Sequence, residues 1–310
     1  MSNEVVPPAD PRAVHLALLS VARAHNADFN AILIQYAIER LLHRVSCSSE
    51  APRFVLKGAM LFRVWFGMLH RPTKDVDFLG TGDASPASVA KAFRAIVCTA
   101  VTEDGLRFDP KSIAAIEIRG EQAYGGVNVV LTAHLGQIPI TVRIDVGFGD
   151  VVTPRVESRF LPTMLGHEVA RIQTYPPETA VSEKVEAMCR FGIANSRMKD
   201  YYDIVSIGRR FEFDGRQLSA AILATFRRRG THLPSGVPTG LSLEFAEDVE
   251  KQRQWAAFLS RNQIRDAPAP LVDSVGMIRA FVLPACAAAV GSGGPPGVWT
   301  PSSGWRAIAD

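Results

Sequence analysis

Asp75 and Asp77 lie two residues apart in the short apolar run Asp75-Val-Asp-Phe-Leu-Gly80. On a strand, a period of two places both carboxylates on one face. Two like charges side by side in a core are costly, and a divalent cation is the common way to relieve that repulsion while both stay ionised. The competing reading is a solvated strand end capped by two acids, and an Asp-x-Asp pair alone leaves the two in balance. One short helix earlier, Lys57 is followed by Gly58-Ala59, a small-residue turn whose backbone N–H groups can approach a phosphate closely. Such a turn next to metal-competent carboxylates is the layout that a nucleoside triphosphate needs.

The elements around these residues can be read from apolar periodicity. Residues 54–56 form a short strand, and an apolar helix with Leu61, Val64, Trp65 and Met68 on its buried side follows the turn. Arg71, Thr73 and Asp75 then lead into a second strand at 76–79. Two helices are expected before this stretch, over 11–24 and 28–44, the second with Asp28 as N-cap. A third, over 85–100, has Pro86 in its first turn and Val89, Phe93, Ile96 and Val97 on its inner face. The period then changes. Segments 106–108, 112–119, 124–134 and 137–147 are rich in Ile, Val and Thr, and predict a largely antiparallel sheet. In the last of them Val142, Ile144 and Val146 share one face, and Thr141, Arg143 and Asp145 the other.

Residues 151–178 carry several prolines and read as a connection, after which helices are expected over 179–191, 198–211, 214–229, 243–265 and 271–290. In the first of these, Val181, Val185 and Met188 define the buried side, and a Lys184 beside Glu183 is ordinarily a solvated face. Arg197 and Lys199 stand at a helix start, where acids are favoured, which hints at contact with phosphate or RNA. Asp200 and Asp203 share a face of that helix. The competing reading is an ion-pair network of Arg197 and Lys199 with Asp200 and Asp203 that clamps the helix to the core. Arg209, Arg210, Arg216 and the run 227–229 make the most basic region of this half. The closing GSGGPPGVWTPSSGW reads as a loosely ordered tail.

Composition bounds these readings. The 310 residues are 47% hydrophobic and 21% charged, enough for a well-buried core and without the signature of disorder. A net charge of +3 permits contact with RNA without requiring it. The four cysteines are scattered without CxxC or CxxH spacing, so neither a zinc site nor a disulfide framework is indicated. The start, MSNEVVPPADPR, lacks the charge and apolar run of a signal peptide, and no later segment reads as a membrane span, so a soluble cytoplasmic protein is expected.

Two blocks carry a resemblance. Lys57-Gly58-Ala59 with Arg71-x-Thr73-Lys74-Asp75-Val76-Asp77-Phe78, and Glu183-Lys184 with Arg197-x-Lys199-Asp200-x-Tyr202-Asp203, resemble the nucleotidyltransferase AbiEii/AbiGii toxin family. That family is the toxin half of bacterial type IV toxin-antitoxin systems and includes the MenT tRNA nucleotidyltransferase toxins. The resemblance covers residues 30–215. It implies an α+β (α/β) bilobal fold: a nucleotidyltransferase lobe with a mixed sheet over 1–165, a helical lobe over 166–290, a tail over 291–310 and an active site in the cleft. It implies transfer of a nucleotide from an NTP to the 3′ end of tRNA, which blocks translation, with Mg²⁺ as cofactor and Mn²⁺ as an alternative. A cognate antitoxin protein is the implied partner, and it need not bind directly.

By the same resemblance Asp75, Asp77, Lys184 and Asp203 are the catalytic candidates, with Asp200 the alternative to Asp203. Lys57, Gly58, Ala59, Arg71, Thr73, Arg197, Lys199 and Asp200 are the nucleotide-binding candidates. Asp75, Asp77 and Asp145 are the metal ligands, with Asp150 competing for the third place, although Gly-Asp at a strand end is ordinary turn chemistry. Relatives carry Gly-Ser or Gly-Gly where this chain has Gly58-Ala59, so a serine oxygen is absent there and Thr73 or water would have to replace it. Two other functions fit the same chemistry or fold: transfer to a protein side chain, and a non-catalytic nucleotide-binding interaction module. Retention of Asp75, Asp77, Asp145 and Lys184 favours catalysis.

Overall fold

The computed structural model describes residues 7–67, 73–118 and 125–307. The chain forms two compact units, Met1–Gly149 with Glu157–Thr174, and Asp150–Val156 with Tyr175–Asp310.

The first unit is built on a mixed seven-stranded sheet. Its strands are β1 (Phe54–Lys57), β2 (Asp75–Gly80), β3 (Leu106–Ile118), β4 (Gly126–Leu135), β5 (Ile138–Phe148), β6 (Glu157–Leu161) and β7 (Ala170–Thr174), in the spatial order β3-β4-β5-β2-β1-β7-β6. β4 and β5 form a hairpin closed at Gly136, whose φ of +60° suits glycine. β2 pairs parallel to β5 and antiparallel to β1, so the Asp-x-Asp strand lies in the interior of the sheet. The segment 151–178, expected as a plain connection, supplies the two strands beyond β1.

Alternation decides which face is core. Val127, Val129, Leu131, Ile140, Val142, Ile144, Val146, Val76 and Phe78 are buried, whereas the residues between them on β2, β4 and β5 are half-buried or exposed. Helices α2 (Phe29–Cys47) and α4 (Pro86–Val97) pack on this unit, and Phe93 joins Phe54 and Phe78 with ring centroids 5.1 and 6.4 Å away. Complete burial of one such ring contributes roughly 1.5–3 kcal/mol. The starts expected from the sequence are capped: Asp28 Oδ1 accepts from the N–H of Ala31, and Ser85 Oγ from the N–H of Ser88. The first helix, α1 (Pro11–Ala24), is capped likewise by Asp10. Helix α2 also carries a buried polar seam. Arg40 and Arg44 donate to the carboxylate of Asp104 at 2.9 and 2.7 Å, and the Tyr36 hydroxyl donates to the Asp104 carbonyl. Burial alone would raise the pKa of Asp104, but the two guanidiniums outweigh it and hold the carboxyl below its ordinary value.

The second unit is mainly helical: α5 (Pro177–Phe191), α6 (Met198–Gly208), α7 (Gly215–Arg229), α8 (Leu243–Glu247), α9 (Val249–Arg261) and α10 (Leu271–Ala289). The long helix expected over 243–265 is two, because Asp248 leaves the helical path and caps α9 through the N–H of Lys251. Among the described residues, helix α10 is long and apolar enough to cross a membrane, contrary to the sequence expectation. It carries Asp273, Arg279 and Pro284, and its Val275, Ile278, Phe281, Val282 and Ala285 are buried against α6 and α7, the pattern of a core helix. The Gly- and Pro-rich end of the chain contains β9 (Val298–Thr300) and β10 (Gly304–Arg306), which join β8 (Phe213–Asp214) in a small sheet. Trp299 donates to the carbonyl of Gly208 and Trp305 to that of Phe281, and both rings pack on the Phe281 ring.

Candidate active site

Strand pairing brings residues distant in sequence into one row. Asn128 on β4 is the Cα partner of Asp145 on β5, Asp145 that of Asp77 on β2, and Asp77 that of Lys57 on β1. Directly paired residues project to the same face. Asp75, two residues before Asp77, stands on that face opposite Arg143. Asp75, Asp77, Asp145, Lys57 and Asn128 are all half-buried, while the alternate residues point into the apolar core.

Neighbouring strands lie about 4.8 Å apart, so Asp77 and Asp145 are within reach of a common cation. At that spacing two carboxylates repel by on the order of 3 kcal/mol at an effective dielectric of about 20. Neutral donors hold two of the three acids. The Thr73 hydroxyl donates to Asp75 Oδ1 at 2.7 Å, and Asn128 Nδ2 donates to Asp145 Oδ1 at 2.7 Å. Among the described residues, neither Asp75 nor Asp145 is in an ion pair. Thr73, the candidate replacement for the missing serine oxygen, gives its hydroxyl proton to Asp75 and keeps its oxygen lone pairs as acceptors. Among the described residues no three His, Cys, Asp or Glu side chains are closed into a ready metal cage. The donor set nonetheless fits a hard divalent cation, since three carboxylates offer oxygen ligands on one face.

Gly58 is required at its position for two reasons. Its φ is +71°, and a Cβ there would lie 2.6 Å from Cγ of Asp77. Its missing side chain lets the turn between β1 and α3 (Met60–Phe66) press against the Asp77 carboxylate. Ala59 is helical, and no side chain caps the start of α3. Lys57 Nζ lies over Gly147, on the same face as the acids. Arg71 falls outside the described residues.

The second block forms its own cluster, in the helical unit. Lys184 Nζ on α5 donates to Asp200 Oδ1 at 2.7 Å and to Asp203 Oδ2 at 2.8 Å, both on α6. Arg197 Nε donates to the other oxygen of Asp200 at 2.7 Å. Asp200 and Asp203 are buried, Lys184 is mostly so, and Arg197 is half exposed. Burial would raise the pKa of Asp200, yet Lys184 and Arg197 prevail and lower it. Four of the five candidates in this block are therefore gathered. Lys199, grouped with Arg197 by its place at the helix start, is exposed, and Lys184 is the cation that joins Arg197 on Asp200.

The fate of Asp150 is different. Arg229 on α7 donates to Asp150 Oδ1 at 3.1 Å, lies 3.1 Å from Glu183 Oε1 and donates to Glu186 Oε2 at 2.9 Å. Burial opposes the charge of Arg229, but the three acids outweigh it and raise its pKa. In sequence Arg229 is one of an exposed-looking basic run, and nothing local distinguishes it from Arg227 and Arg228. Asn128 carries no local signal either, since its value depends on which strand pairs with β5.

Comparison with known proteins adds to this geometry. The family model described as "Nucleotidyl transferase AbiEii toxin, Type IV TA system" matches residues 40–275. The chain belongs to the AbiEii family. The matched span contains both clusters, from Lys57 to Arg229. AbiEii-family proteins are nucleotidyltransferase toxins of type IV toxin-antitoxin systems. No curated protein matches the sequence. Among solved structures, a candidate nucleotidyltransferase from H. pylori is similar at 11% identity with a TM-score of 0.50, over 85% of this chain and 97% of that one. The Helicobacter pylori protein JHP933 is similar at 13% identity and a TM-score of 0.48, over 83% and 94%. At 11% identity, the first likeness supports the nucleotidyltransferase fold of this AbiEii-family chain and nothing finer.

Proposed function

We propose that this AbiEii-family toxin transfers a nucleotide from an NTP to the 3′ end of tRNA, blocking translation, and that the sheet-bearing unit carries the metal and triphosphate. The observation that carries the reading is the register that places Asp145 opposite Asp77, on the face that also bears Asp75. In the reaction the acceptor hydroxyl oxygen bonds to the α-phosphorus, the bond to the β-phosphate bridge breaks, pyrophosphate leaves and the hydroxyl proton is released.

Asp75, Asp77 and Asp145 would hold a divalent cation, Mg²⁺ or Mn²⁺. When bound it supplies charge that polarises the hydroxyl and neutralises the leaving pyrophosphate. Gly58 and Ala59 let backbone approach the phosphates without a side chain between. Lys57 faces phosphate oxygens from this unit, and the resemblance assigns Arg71 to nucleotide binding as well. In the helical unit the resemblance assigns Lys184, which Asp200 and Asp203 order, to catalysis and Arg197 with Lys199 to nucleotide binding. Support for an RNA acceptor comes from the MenT resemblance and from the exposed cations Arg197, Lys199 and Arg227. An antitoxin protein in the same cytoplasm is the partner that a type IV toxin implies.

Incubation of the protein with Mg²⁺, total tRNA and each α-labelled NTP in turn, beside Asp75→Ala, tests this reading. Label on tRNA that vanishes in the variant is the expected result. Label only on protein would move the acceptor to a side chain, and no label with any NTP would overturn the catalytic reading.

A further inference from the structure

Five buried or half-buried carboxylates of the helical unit are held by cations: Asp150, Glu183 and Glu186 by Arg229, and Asp200 and Asp203 by Lys184. Asp75 and Asp145 of the sheet-bearing unit are held instead by an uncharged hydroxyl and an uncharged amide. The difference has a chemical meaning. A cationic partner cancels the charge that a metal ion would use, whereas a neutral donor fixes one oxygen and leaves the formal charge in place.

Asn128 is placed to do this for Asp145. It is the direct Cα partner of Asp145 across the β4–β5 hairpin, and its amide nitrogen reaches Oδ1 at 2.7 Å. Asp145 in turn is the direct partner of Asp77 on the opposite side of β5. The amide therefore engages the carboxylate from the strand away from Asp77. Hydrogen bonding there fixes the rotation of the carboxylate and so the direction of its other oxygen. The surrounding strand supports this aim, because Val127 and Val129, either side of Asn128, are both buried and pin the backbone that directs the amide.

We infer that Asn128 is a positioning residue for nucleotide transfer: its side-chain amide orients Asp145 as a ligand of the divalent cation without neutralising it. The inference rests on the proposed reading of Asp75, Asp77 and Asp145 as the metal-holding set.

The test is direct titration of the full-length protein with Mn²⁺ alone, read by the electron paramagnetic resonance signal of the free ion, with NTP and RNA absent. The variants are Asn128→Leu, which keeps the shape of the side chain and removes the donor, Asn128→Ala as a second version should the first fail to fold, Asp145→Asn, and the double Asn128→Leu/Asp145→Asn. Thermal melting in metal-free buffer checks that each is folded. The expected result is Mn²⁺ binding weakened about 10-fold or more by Asn128→Leu, the size seen for loss of an outer-shell partner. The double variant should bind no more weakly than Asp145→Asn alone, because a positioning residue acts only through its ligand. Normal binding in folded Asn128→Leu and Asn128→Ala, with loss in Asp145→Asn, would overturn the role of Asn128 and leave the metal set standing. A further loss in the double variant would likewise overturn it. Binding unaffected by Asp145→Asn, or no Mn²⁺ binding by the unmodified protein, would overturn the metal set and this inference together.

Discussion

Asp77 and Asp145 are paired Cα to Cα across parallel strands β2 and β5, so two carboxylates far apart in sequence share one sheet face. The remaining face of the same strands is apolar and buried, which fixes the register: a slip of either strand by one residue would turn its own aspartate into the core. Position of the acids and stability of the sheet are thus one property.

Gly58 should resist substitution more than a positive-φ glycine that has open space around it. Gly58→Ala combines a left-handed backbone with overlap onto the Asp77 carboxylate. Gly230, at the end of α7, has a φ of +65° and open space around it. Gly230→Ala is expected to cost about 1 kcal/mol by the backbone penalty and to keep nucleotide transfer, while Gly58→Ala costs more and lowers transfer sharply. Urea unfolding and turnover measured on both variants check this.

Arg229 should be a stability residue and Arg227, in the same basic run, should not. Arg229→Leu removes the cation shared by the buried Glu186 and the mostly buried Asp150 and Glu183, leaving Glu186 with Arg190 and the Thr231 hydroxyl, a loss of roughly 3 kcal/mol. Arg227→Leu, at an exposed position, is expected to stay within about 0.5 kcal/mol of the unmodified protein. Chemical denaturation distinguishes the two.

Acid should weaken the sheet-bearing unit through Asp104. Its folded pKa is depressed by Arg40 and Arg44 against the opposing effect of burial, so its contribution is complete above the unfolded value and is lost as pH falls through the lower folded one. Unfolding midpoints taken from about pH 6 to about pH 3 should fall more steeply for the unmodified protein than for Asp104→Asn. Equal slopes would mean that the Arg40–Asp104–Arg44 seam carries no such linkage.

Much of this arrangement is legible in the sequence, and what is not has a physical reason. The helices 11–24 and 86–97 announce themselves through caps and apolar periodicity, and the alternation in 138–148 places Asp145 on the polar face. Whether that face meets Asp75 and Asp77 depends on a parallel pairing between distant strands, which no local pattern encodes. Strand β7 alternates Ala170, Ile172 and Thr174 inward, but five residues between prolines give too short a signal. The tail hairpin is shorter still, and its order comes from Trp299 and Trp305 packing on Phe281 rather than from strand propensity. Asp248 divides α8 from α9 by capping the second, a role that in sequence looks like that of an ordinary helical acid.

The pairing of Asp77 with Asp145 is tested most directly by asking which acid completes the set. Transfer of label from an α-labelled NTP to tRNA is measured per folded molecule for Asp145→Ala and Asp150→Ala across a Mg²⁺ series. Asp145→Ala should lose transfer by on the order of 100-fold or more while melting like the unmodified protein. Asp150→Ala should melt earlier, because Arg229 loses a partner, and keep transfer. Undiminished transfer in Asp145→Ala, with loss in a folded Asp150→Ala, would contradict the assignment of the sheet face as the metal-holding site.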